Sequence, residues 1–117
     1  MKNLAVVLEH ADQLSVYFSV ESDEVLAISE KMTAINESAY MNGYNWDAFL
    51  NRYMQIYQSE LLNGLDTDPE AGTYTALYNK GDVDKANRLV DVINGLVNNP
   101  DRVYEFLREH GDSIEWE

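Results

Sequence analysis

The densest set of groups able to do chemistry is Asp66-Thr67-Asp68-Pro69-Glu70. Alternating carboxylates can supply the oxygen ligands of a divalent cation, but a calcium-binding loop also needs a turn-making glycine and a closing acid at position 12. Counted from Asp66 that position is Leu77, counted from Asp68 it is Asn79, and Pro69 stiffens the middle. The EF-hand pattern fails. Asp68 is then expected to cap the turn before Pro69, with Glu70 anchoring nearby backbone amides. His10 and His110 lie at opposite ends of the sequence, without the clustered spacing of a zinc site. His110 is explained as a cation at a helix C-terminus. Cysteine is absent, so there is neither a thiolate site nor a disulfide framework. The sequence has no Gly-x-Ser-x-Gly elbow and no phosphate-cradling glycine loop. Among 21 acids, carboxylate pairs arise by chance and identify no acid–base couple. No catalytic residue, metal ligand or cofactor is assigned. An alternative is a small-molecule or metal-binding domain that combines the 66–70 acids with the aromatic set Tyr44, Trp46, Phe49, Tyr53 and Tyr57. At helical spacing, that aromatic set is more typical of a core.

The elements that would position these residues follow from periodicity. Leu4, Val6 and Leu8 alternate with Ala5, Val7 and Glu9, which predicts a strand with the two sets on opposite faces. Leu14, Val16, Phe18 and Val20 alternate with Ser15, Tyr17 and Ser19, so a hairpin forms whose other face is wetter. Ser22 caps a first helix with Asp23 and Glu24 in its first turn and Val25, Ile28, Met32 and Ile35 on one stripe. Asn42-Gly43 predicts a turn with positive φ open to Gly43, and Asn45 the cap of a second helix running to Leu61, closed by Gly64. Residues 65–71 are expected to form a loop and 72–79 a third strand. Asp82 should cap a third helix, Asn99-Pro100 should start a fourth, and Gly111 should end it. Residues 112–117 then form an acidic tail bearing an exposed Trp116. The expected fold is α+β: a small antiparallel sheet of about three strands packed against about four helices, in a single domain over 1–117.

Charge narrows the choice of partners. The chain carries 21 acidic against 8 basic side chains, a net charge of −13. Such a field repels phosphate backbones and anionic membranes and attracts basic protein surfaces. Residues 1–8 form too short an apolar run for a signal peptide, and no later run reaches transmembrane length. The expectation is a cytoplasmic protein that contacts neither nucleic acid nor membrane. It would be a monomer or weak dimer, the dimer using an exposed edge strand or the uncovered sheet face.

Two stretches carry a family resemblance. Met41-Asn42-Gly43-Tyr44-Asn45-Trp46-Asp47 and Leu65-Asp66-Thr67-Asp68-Pro69-Glu70-Ala71-Gly72-Thr73-Tyr74 resemble the bacterial immunity protein 51 family, small antidotes encoded beside polymorphic toxins. The resemblance implies a non-enzymatic α+β protein that binds and neutralises the C-terminal domain of a cognate toxin. Within the motifs, Gly43, Tyr44, Trp46, Asp68, Pro69, Glu70 and Gly72 are expected to be structural. Gly43 would permit the turn, Trp46 fill the core, and Gly72 allow close approach to the sheet. The acidic balance then suggests occlusion of a basic nuclease. Candidate contacts are Glu21, Asp23, Glu24, Asp66, Asp112, Glu115 and Trp116.

Overall fold

The structure, a computed structural model, describes residues 3–117. The part of the N-terminal reading that involves Met1 and Lys2 lies outside the described residues. Strands β1 (Ala5–Glu9) and β2 (Gln13–Ser19) form the hairpin, followed by α1 (Asp23–Ile35) and α2 (Gly43–Tyr57). A short 3-10 turn (Ser59–Leu62) leads to β3 (Asp66–Thr67) and β4 (Thr73–Asn79). Helices α3 (Val83–Val97) and α4 (Pro100–His110) complete the fold. The sheet is antiparallel with order β1-β2-β4-β3. It has four strands where about three were expected, because Asp66 and Thr67 pair with Leu77 and Ala76. A strand this short shows no alternation to read; β4 serves as its template.

α2 and α3 lie on one face of the sheet, while α1 and α4 pack on each other and on α3. A chain of edge-on aromatic contacts crosses the interior: Phe18 to Trp46 (5.5 Å), Trp46 to Phe49 (5.6 Å) and Phe49 to Phe106 (5.3 Å). Sheet, α2 and α4 are thereby joined through one core.

The alternation in β1 is as expected, and the structure decides which set faces the core. Ala5 is buried, whereas Val6 and Leu8 are 39% and 45% exposed. β1 is apolar on both faces, so alternation alone does not orient it. Its pairing does: Ala5 opposes Phe18 and Val7 opposes Val16, both core residues of β2. Choosing the other register parity flips every side chain.

Several helix boundaries also move. Ser22 caps α1 as expected, accepting from the Val25 N–H at 3.4 Å. α2 begins earlier than predicted: Asn42, not Asn45, is its cap and accepts from the Asn45 N–H at 2.9 Å. Gly43 is therefore the first helical residue and has no positive φ; among the described residues that conformation belongs to Gly64, at 79°. α2 stops at Tyr57 rather than Leu61, and Gly64 follows the 3-10 turn. Leu61 is held there because its carbonyl accepts from the buried Tyr78 hydroxyl at 2.6 Å. Asp82 makes no side-chain cap to α3; it ends a 3-10 turn and faces Lys85 at 3.9 Å. Pro100 starts α4 as expected, though Asn99 caps it with backbone only.

At Ala5, the free edge of β1 is capped by a side chain that periodicity does not single out. Asn94 of α3 accepts from the Ala5 N–H (2.9 Å) and donates to the Ala5 carbonyl (3.1 Å), both bonds buried. This amide occupies the two Ala5 backbone groups to which another strand could otherwise pair. Asn94→Ala strands two buried backbone groups, so urea denaturation should show a loss of about 2 kcal/mol. A loss under about 0.5 kcal/mol would mean that Ala5 finds other partners.

Candidate functional site

The two sequence motifs meet in space. The Gly43 N–H donates to the Ala71 carbonyl at 2.9 Å, and the start of α2 sits against the turn that joins β3 to β4. A Cβ on Gly43 would overlap the carbonyl oxygens of Glu70 and Thr73 and lie 2.9 Å from the Glu70 carbonyl carbon. Glycine is thus required here for close approach, not for a positive φ. Gly72 joins the same junction: its carbonyl accepts from the Val20 N–H at 3.0 Å, and its α-carbon packs on the Glu21 carboxylate. Trp46 is fully buried beside it, Pro69 is half-buried, and Tyr44 is 40% exposed.

Among the described residues, Asp68 and Glu70 do not anchor amides with their side chains. The hydrogen bonds at these residues are backbone ones: Asp68 N–H to Thr75 carbonyl (2.9 Å), Glu70 N–H to Thr73 carbonyl (2.9 Å), and Thr73 N–H to Glu70 carbonyl (3.3 Å). These bonds continue the pairing of β3 with β4 and impose period two on a stretch expected to be loop. Asp66, Asp68 and Glu70 are all exposed, and none has an ion-pair partner among the described residues. Thr67 points the other way, its hydroxyl donating to Asp47 of α2 at 3.4 Å. Three carboxylates thus run as a column along the β3 edge. No group of three acids, histidines or cysteines among the described residues could hold a metal ion.

The remaining predicted contacts fall into two other places. Glu21 and Asp23 are exposed and Glu24 half-buried where β2 hands over to α1. Asp112 and Glu115 are exposed near the C-terminus. The free acidic tail expected there is overturned. Residues 111–113 form a 3-10 turn, Ile114 is buried in the core, and the Glu117 N–H donates to Asn45 Oδ1 at 2.7 Å. Trp116 is half-buried against the core, its indole N–H donating to the Gly111 carbonyl at 3.0 Å. Asn45 is the anchor: fully buried, it also donates to the Tyr40 carbonyl at 2.7 Å. Only contacts distant in sequence give it this role. The docked segment and α2 enclose a cleft of about 240 Å³ containing Asp47, Arg52, Glu115 and Glu117. Burial raises the Asp47 carboxyl above its ordinary range; the Thr67 hydroxyl opposes this and Glu117 adds to it.

The aromatic helix and the acid column do not converge. Trp46 and Phe49 are core. Tyr53 and Tyr57 instead line a groove of about 410 Å³ with Arg102, Glu105, Phe106 and Glu109, away from any of the 66–70 acids. His10 bonds the buried Ser15 hydroxyl (2.9 Å), whereas the His110 ring packs tilted against Phe106, centroids 4.7 Å apart. The described cations are mostly engaged on the helical side. Arg52 donates to Ser113, Arg88 to Glu60, Arg102 to the Tyr53 hydroxyl and Lys85 to the Asn63 carbonyl. Lys31 lies 4.8 Å from the centre of the Tyr104 ring. Lys80, beside the sheet, pairs with Glu9 at 3.0 Å.

No helix among the described residues is long and apolar enough to cross a membrane. Neither the curated proteins nor the solved structures give a significant match. A protein-family model does: two motifs locked together at Gly43, on an α+β frame, accompany a match to Immunity protein 51 over residues 5–112, and the chain therefore belongs to the immunity protein 51 family.

Proposed function

We propose that this protein binds the C-terminal domain of a toxin encoded beside it and neutralises that domain without turning over any substrate. Family membership is the observation that carries this reading. We further propose that the toxin is a basic nuclease and that inhibition is by acidic occlusion in the cytoplasm. A surface that holds phosphates must be electropositive, and a partner of net charge −13 competes for it. The engagement of cations on the helical side supports the idea, because it leaves carboxylates near the sheet uncompensated.

Co-expression tests the reading. Cells expressing the adjacent toxin domain should stop growing, and growth should return when this chain is supplied. No rescue would overturn it. Glu21, Asp23 and Glu24 provide a separate prediction. Reversing all three to Lys should slow association by about tenfold at low salt and flatten its salt dependence. Unchanged kinetics in stopped flow would remove this patch from the contact.

A further inference from the structure

We infer that the uncovered face of the sheet is the docking surface, and that it takes a protein surface with an apolar centre and a basic margin on one side. This inference rests on the toxin-binding reading and names the face that performs it. Register defines the face. Val6 opposes Tyr17 and Tyr17 opposes Thr75; in the next row Leu8, Ser15, Leu77 and Asp66 stand side by side across four strands. Cross-strand partners share a face, so these residues all look away from the helices. Val6, Leu8 and Tyr17 are 39%, 45% and 38% exposed. Water-facing strand positions are normally polar, and three large apolar side chains grouped at one end of an open sheet form a patch rather than scattered exposure.

The acids give the patch a direction. Asp66 shares its row with Leu8 and Leu77, and Asp68 and Glu70 continue the column along the β3 edge. Lys80, the cation tied to the sheet at Glu9, is already paired. A desolvated apolar centre beside a solvated charged margin is the usual anatomy of a protein interface, with tyrosine a frequent anchor. Charge selects the occupant. A second copy of this chain brings another net charge of −13, and among the described residues no unpaired cation lies on this face to meet the column. A basic protein surface meets it with complementary sign.

The probe is the toxin domain that arrests growth in the co-expression experiment, titrated by calorimetry and stopped flow. Tyr17→Ala should weaken binding about tenfold or more by accelerating dissociation. Leu8→Ser is an independent second variant, should the first fail to fold. Asp66→Asn, Asp68→Asn and Glu70→Gln together should slow association about tenfold at low salt and lose most of that effect at high salt. Tyr57→Ala with Glu109→Gln, on the helical groove, should stay within about twofold of the parent. Parent binding with unchanged sheet variants overturns the surface alone, as does a dimer in sedimentation that these variants dissolve. A parent chain that neither binds nor protects overturns the toxin reading and the surface with it.

Discussion

Replacing Gly43 with alanine will cost the protein about 4 kcal/mol or prevent it from folding, although only one methyl group is added. The new Cβ has no room. It would overlap two backbone oxygens, those of Glu70 and Thr73, and neither can rotate away as a side chain would. Relief requires the start of α2 to lift from the 70–73 turn, and the 2.9 Å bond from the Gly43 N–H to the Ala71 carbonyl goes with it. Trp46, one turn on, would lose its seat against Phe18. Thermal unfolding followed by circular dichroism should show Tm lowered by more than about 10 °C. A shift below about 3 °C would show that the junction is looser than this packing implies. Gly72→Ala makes the comparison. Its Cβ would meet the carboxylate of Glu21, the far end of a flexible side chain, so that substitution should be much milder.

Trp46→Ala should be nearly as severe, at about 3–5 kcal/mol. The indole is 1% exposed and joins the sheet to the helices by edge contacts with Phe18 and Phe49. Removing it leaves a cavity that two flanking rings cannot both fill. Trp46→Phe should cost far less, on the order of 1–2 kcal/mol. A phenyl ring preserves most of the aromatic contact, and the indole N–H has no hydrogen-bond partner among the described residues to lose. Equilibrium urea unfolding of both variants separates volume from polarity. Equal losses would mean that the indole edge, rather than the filled volume, holds the core together.

Much of the architecture is legible in the chain. Ser22 followed by Asp23 and Glu24 marks the start of α1 because capping is a local hydrogen bond to the next turn. Pro100 marks α4 for an equally local reason, its fixed φ and missing N–H. Leu14, Val16 and Phe18 orient β2 correctly because their alternate neighbours are polar or amphipathic. The motif pair carries the family resemblance, and Gly43 and Trp46 within it sit in packing that leaves no room for change. The surface is far less legible. Asn94 reads as an ordinary helix polar, and Asn45 as a helix cap, until the Ala5 edge and the Glu117 amide arrive from elsewhere in the chain.

The sequence by itself determined the order of the longer strands and the four helices, the acidic balance and the motif pair, because each depends on composition or on contacts within a turn or two. Tertiary structure alone decided that Val6 and Leu8 face outward, that residues 66–67 join the sheet, and that the last residues dock instead of trailing. Strand parity, edge pairing and docking of a terminus are settled between residues far apart in the chain. A strand apolar on both faces, or one only two residues long, carries no local preference strong enough to anticipate the outcome.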